Sequence, residues 1–252
     1  MFSNNPFVAV AASLPPHFMQ AFIVVMVVAV IAGTLFDVVH KGSARYFFDN
    51  WRRAKAKGGK TLASGELASI ALQTVAVDVL ASGEFCGTRR RIAHLLGMYG
   101  FVLYVLATAV MVFDPAASAH WAQLWWVGGL MICVGGYWFW FFIRVDVAAE
   151  GNSRFRVVQA DLFILSLLAS TTLGLLWAAA GGGVGALFFL YLVATAVLFF
   201  GVPWSKFAHM FFKPAAAFEK RVSNADGTRS NLPAPADAPE AFSRARERPQ
   251  HY

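Results

Sequence analysis

Runs of apolar residues too long for a soluble core divide this chain. Five stretches, at about 17–39, 92–113, 121–143, 157–180 and 184–212, are almost free of charged side chains. Each is long enough to cross a bilayer as a helix, which takes about 20 residues. They predict an all-α integral membrane protein, a bundle of five transmembrane helices. The fifth stretch is long and contains Pro203, so a tilt or kink is expected in it. Between the first two, residues 62–80 (LASGELASIALQTVAVDVL) place apolar residues at helical spacing with few charges. That pattern predicts an amphipathic helix, lying on the inner membrane surface or packed against a soluble partner. Residues 1–16 read as an outer N-terminal segment. They carry no Lys or Arg, unlike the flank of a signal peptide. Residues 214–252, rich in Pro, Ala, Arg and Glu, read as a flexible cytoplasmic tail.

Composition agrees with the pattern. Of 252 residues, 58% are hydrophobic and 14% charged, whereas soluble domains have about 45–50% and about 25%. The formal net charge is +7, and its placement says more than its size. All 21 Lys and Arg fall between 41 and 60, at 89–91, between 144 and 156, between 206 and 221, or beyond 228. With five crossings these sites share one side of the membrane, and the excess of basic residues makes that side cytoplasmic. The N-terminus then lies outside and the C-terminus inside. A basic rim of this kind suits anionic lipid, and nothing in the pattern calls for nucleic acid.

The two cysteines, Cys86 and Cys133, are too few for an iron–sulfur cluster, which takes about four thiolates. No C-x-x-C-H is present, so haem is not covalently attached. Among the six histidines, two are set apart by geometry. The second helix runs inside to outside and carries His94 in its first turn. The fifth runs outside to inside and carries His209 about one turn before its end. Both rings therefore sit at similar depth near the cytoplasmic interface. They suit the axial ligation of one b-type haem, or serve as polar interface anchors. Arg90, Arg91 and Lys206 can pair with haem propionates or simply anchor the interface.

Three further groups bear on proton chemistry. Asp37 and His40, three residues apart on one helix face, suit a quinone and proton site. They equally suit a hydrogen-bonded structural pair, and His40 is also an alternative haem ligand. Asp161, inside the fourth stretch, is expected to face the protein interior. There it orients a histidine or accepts a proton, or else it pairs with Arg154 or Arg156. His120, with Trp121, Trp125 and Trp126, resembles an aromatic belt at the outer interface, or contacts a quinone head group. Glycines such as Gly97 and the Gly135–Gly136 pair read as close helix packing.

The motifs RRRIAHLLGMYGF (89–101), DLFILSLLASTTLG (161–174) and PWSKFAHMFFKP (203–214) resemble the cytochrome b membrane subunit family. That family includes nitrate reductase gamma subunits and the membrane subunits of heterodisulfide-reductase-like complexes. The likeness covers roughly residues 60–214. The phrase FDVVHKGSARYFFDNW (36–51) is similar to the membrane anchors that accompany adenylylsulfate reductase in bacterial sulfur oxidisers. The resemblance implies a non-catalytic or quinone-reactive subunit in a bacterial inner membrane. Its role would be to pass electrons between a cytoplasmic iron–sulfur flavoprotein and the quinone pool. Di-haem members of the family need a second histidine pair about four turns along the same helices. Here those positions are Thr108 and Thr195, so one haem at most is expected. A haemless anchor that docks a soluble enzyme is the alternative.

Overall fold

The computed structural model describes residues 2–15, 17–40, 45, 47–49, 51–52, 60–83, 85, 87–144, 155–205 and 209–228. Among these the regular structure is entirely helical. Helix α1 (Val8–Ala11) precedes α2 (His17–His40). Helix α3 (Ser64–Gln73) continues as a π-helical stretch over Thr74–Leu80. Helix α4 spans Thr88–Phe113, and α5 spans Ala119–Trp138 with a π-helical end at Phe139–Ile143. A 3₁₀ turn at Gln159–Asp161 leads into α6 (Leu162–Ala179), followed by α7 (Ala186–Phe200). Helix α8 covers His209–Ala225.

Four of the described helices are long and apolar enough to cross a membrane: His17–His40, Thr88–Phe113, Ala119–Ile143 and Leu162–Ala179. The fifth predicted span is not the single kinked helix expected over 184–212. Helix α7 stops at Phe200, and one 3₁₀ turn follows at Val202–Trp204 before α8 begins at His209. Pro203 explains the break. It has no N–H to give to the helix, so the α-helical hydrogen-bond ladder cannot continue through it.

The bundle is assembled on α5, where two glycine pairs stand seven residues apart. Gly128 and Gly135 face α4. A Cβ on Gly128 would lie 2.8 Å from the Gly100 carbonyl oxygen, and one on Gly135 would lie 2.8 Å from that of Ala93. The adjacent Gly129 and Gly136 are turned about 100° round the helix and receive Leu175 and Leu168 of α6. Small residues let backbones approach closely where no hydrophobic effect drives helices together. Gly97 differs from the expectation, since a Cβ there would meet nothing within 4 Å. Helix α7 packs on α6, and α2 lies against α7 and the Val202–Trp204 turn.

The N-terminal segment closes the end of the bundle that carries no Lys or Arg. Phe7 and Val10 are buried. The Asn5 side-chain amide donates to the Met111 carbonyl at 2.9 Å. At the opposite end α8 runs on through Pro214 to Ala225. The flexible tail expected from 214 therefore does not begin there, because the helix finds a partner. Asp78 at the end of α3 meets Arg221 of α8 in a two-point ion pair at 2.6 and 3.1 Å. Lys60 N–H also donates to the Asp226 carbonyl at 2.7 Å, and Trp51 packs edge-on against Phe218. Helix α3 thus packs on the chain's own α8, while Leu72, Val75 and Leu80 remain exposed. Its start is fixed by Glu66, whose carboxylate accepts from the Ala63 N–H at 2.9 Å. That bond, and then the ion pair with Lys60, hold the Glu66 carboxyl below its ordinary range.

Candidate functional site

The basic end of α4 grips the turn that follows α3. Three α4 side chains hold three consecutive residues. Tyr99 Oη donates to the Leu80 carbonyl at 2.7 Å, and Arg91 Nε donates to the Ala81 carbonyl at 2.8 Å. His94 Nδ1 shares a hydrogen bond with Ser82 Oγ at 3.0 Å, its direction set by the ring's tautomer. Ser82 is almost fully buried, at 1% exposure, and takes a left-handed backbone with φ of 50°. It closes the helix in the manner of a helix C-terminal cap, with Gly83 N–H donating to the Val77 carbonyl at 2.7 Å.

Phe85 lies beyond this turn, its ring 4.7 Å from that of His94. Lys213 Nζ also stands 5.2 Å from the centre of the Phe85 ring. Lys213 follows His209 by four residues, about one helical turn. The structure therefore brings the helix that His209 opens close to the first turns of α4, where His94 stands. For His209 itself only the backbone is described, and Lys206 lies outside the described residues. Arg90 lines an open groove with Gly87, Thr88, Arg89, Phe142 and Ile143.

Asp37 and His40 occupy different surroundings in spite of their spacing. Asp37 is buried, whereas His40 is exposed and stacks on Phe36 at 5.0 Å. Asp161 is buried and ion-paired, but with Arg144. The Arg156 carbonyl accepts from the same Arg144 guanidinium, and Arg154 lies outside the described residues. Asp161 also accepts from the Val158 N–H at 2.9 Å, and Arg144 lies 3.9 Å over the Trp140 ring. This clasp joins the end of α5 to the start of α6.

The half of the bundle nearer the N-terminal segment holds a cluster of rings that the sequence pattern did not reveal. Trp125 and Trp126 are buried rather than belted at the interface, while His120 is exposed. Trp125 stacks on Tyr104 at 4.8 Å and Trp177 on Tyr191 at 5.6 Å, and Phe7 contacts both tryptophans. Thr108 Oγ1 accepts from Trp125 Nε1 at 2.9 Å, and Thr195 Oγ1 bonds Ser170 at 2.7 Å. Thr108 and Thr195 are thus both committed to polar contacts between helices. Among the described residues no cluster of three or more His, Cys, Asp or Glu could hold a metal ion.

No family profile matches the chain, and no solved structure matches it. Citrate utilization protein B of Escherichia coli is 26% identical over 167 residues, covering 60% of this chain and 42% of that relative. The matched stretch is therefore less than half of the relative's length.

Proposed function

We propose that this chain is a membrane anchor and electron-transfer subunit of an oxidoreductase complex, with one b-type haem held by His94 and His209 near the cytoplasmic face. The observation that carries this reading is the convergence on Phe85 of His94 and Lys213, one turn into α8. His94, the proposed ligand whose side chain is described, suits the group. Ser82 engages His94 Nδ1, which leaves Nε2 as the ligating atom. A ligand histidine commonly has its other nitrogen held in this way. Arg90, Arg91 and Lys206 are the basic side chains we assign to propionates. When bound, the haem supplies one-electron chemistry.

Five crossings complete this reading. Helix α7 is 15 residues long, which gives about 22 Å of rise. The turn through Trp204 adds roughly 2 Å per residue, reaching the ~30 Å of the hydrocarbon core. Helix α3 then lies at the inner surface, with Leu72, Val75 and Leu80 toward lipid and Asp78 toward α8. The basic end faces the cytoplasm of a bacterium. There it meets anionic lipid and a separate iron–sulfur flavoprotein such as adenylylsulfate reductase. Asp37, buried near the same end, accepts a proton at quinone oxidation or reduction, with His40 at the rim.

The test is a dithionite-reduced minus oxidised visible spectrum of the protein in mild detergent, with a pyridine haemochrome count. The expected result is about one b-type haem per chain, lost in both His94→Ala and His209→Ala. A haem-free spectrum from protein made with ample haem overturns the reading. The packing of Phe85 on His94 would then favour the second one, a haemless anchor whose basic face docks a soluble enzyme.

A further inference from the structure

The turn at residues 80–82 is built more elaborately than a helix end requires. Helix ends of this kind place glycine in the left-handed position, because a Cβ there meets the backbone. Here Ser82 occupies that position at φ 50°. The next residue, Gly83, packs so closely that a Cβ on it would come 2.8 Å from Val77 Cγ1. The backbone geometry alone is met at least as well by glycine at 82. What serine adds is one hydroxyl, buried and 3.0 Å from His94 Nδ1. Tyr99 and Arg91 fix the two preceding carbonyls at 2.7 and 2.8 Å. The hydroxyl is therefore held on a turn that α4 itself clamps, at a set distance from its ring. Unfavourable backbone retained where its side chain meets a candidate ligand is the pattern of a functional position.

We infer that Ser82 is the positioning residue of His94: it accepts the Nδ1–H, fixes the ring's tautomer and orientation, and so presents Nε2 to haem iron. This rests on the haem reading above and extends it to the group that prepares the ligand. Tyr99 and Arg91 act one step further back, holding the turn that carries the hydroxyl.

The test uses the full chain in detergent, ¹⁵N-labelled at histidine, in its haem-free form and titrated with hemin. The His94 resonances are assigned by their loss in His94→Gln. Two variants delete the hydroxyl with opposite effects on the backbone. Ser82→Gly suits the left-handed conformation and raises Tm; Ser82→Ala keeps a Cβ there and does not. The expected wild-type signal is the Nδ1–H tautomer. Both variants lose that preference and bind hemin roughly 10–100-fold more weakly, although their stabilities move apart. An unchanged tautomer and hemin affinity in both variants overturns the assignment, even with haem bound. Wild-type protein that takes up no hemin overturns the parent reading instead, and the tautomer comparison still decides whether Ser82 sets the ring.

Discussion

Gly97 and Gly135 look alike in sequence and stand in unlike places, which makes them a matched pair of perturbations. A Cβ on Gly135 of α5 would lie 2.8 Å from the Ala93 carbonyl oxygen and 2.8 Å from Leu96 Cβ. Ordinary contact begins near 3.4 Å, so α4 and α5 must separate by about 0.6 Å to admit a methyl group. A gap of that size forfeits roughly a quarter to a half of the dispersion attraction along the seam. Overpacking of this kind costs about 1–3 kcal/mol. Gly97→Ala places its methyl where nothing lies within 4 Å, and alanine is the better helix former by up to about 1 kcal/mol. The two variants should therefore differ by about 2–4 kcal/mol in opposite directions from wild type. Unfolding by SDS in mixed micelles, followed by the fluorescence of the eight tryptophans, reads the difference. Equal midpoints for Gly135→Ala and Gly97→Ala would refute the glycine-seam account of the bundle.

Two ion pairs give further predictions. Asp78 and Arg221 have side chains 15% and 27% exposed, so solvent screens the pair only in part. A double-mutant cycle of Asp78→Ala and Arg221→Ala in thermal unfolding should show a coupling of about 1–2 kcal/mol, whereas strict additivity would separate α3 from α8. Arg144 and Asp161 are more buried, with side chains 10% and 12% exposed. Arg144→Met strands a carboxylate and should cost about 3–5 kcal/mol. Arg144→Lys should recover little of it, since one ammonium cannot serve Asp161, the Arg156 carbonyl and the Trp140 ring together. A lysine variant as stable as wild type would sink that account.

What the sequence reveals of this fold follows from the bilayer. A crossing helix must hide about 20 residues of backbone in hydrocarbon, so α2, α4, α5 and α6 stand out as apolar runs. The same solvent conceals which face of each helix turns inward, because lipid and protein interior are equally apolar. Trp125 and Trp126 read as an interface belt for that reason, and only their neighbours, Tyr104 and Phe7 on Trp125 and Phe2 on Trp126, show them to be core. The break at Gly201–Trp204 was announced by Pro203, but a proline within an apolar run is also compatible with a kink. The helix beyond it was hidden because its stability comes from contacts with α3 distant in sequence. Asp78 and Arg221 are 143 residues apart.

For the candidate site the sequence supplies helix direction, and with it an expected depth for each histidine. The structure adds that the Phe85 ring packs on His94 and lies 5.2 Å from Lys213, one turn beyond His209. Side-chain surroundings need more than depth. Positions 37 and 40 differ by about 60° around a helix, enough for Asp37 to turn inward while His40 lies along Phe36 at the rim. Ser82 left no signal, since its importance depends on a left-handed turn that an ordinary Ala-Ser-Gly string does not declare. The asymmetry between the halves of the bundle has the same origin. Thr108 and Thr195 stand where a second ligand pair would be needed, and each hydroxyl also bonds the carbonyl four residues back, at 2.7 Å. Their other contacts, to Trp125 and Ser170, bind helix to helix. Breaking these contacts would leave the hydroxyls and the Trp125 indole N–H unmet among buried stacked rings, a cost of several kcal/mol for each such group.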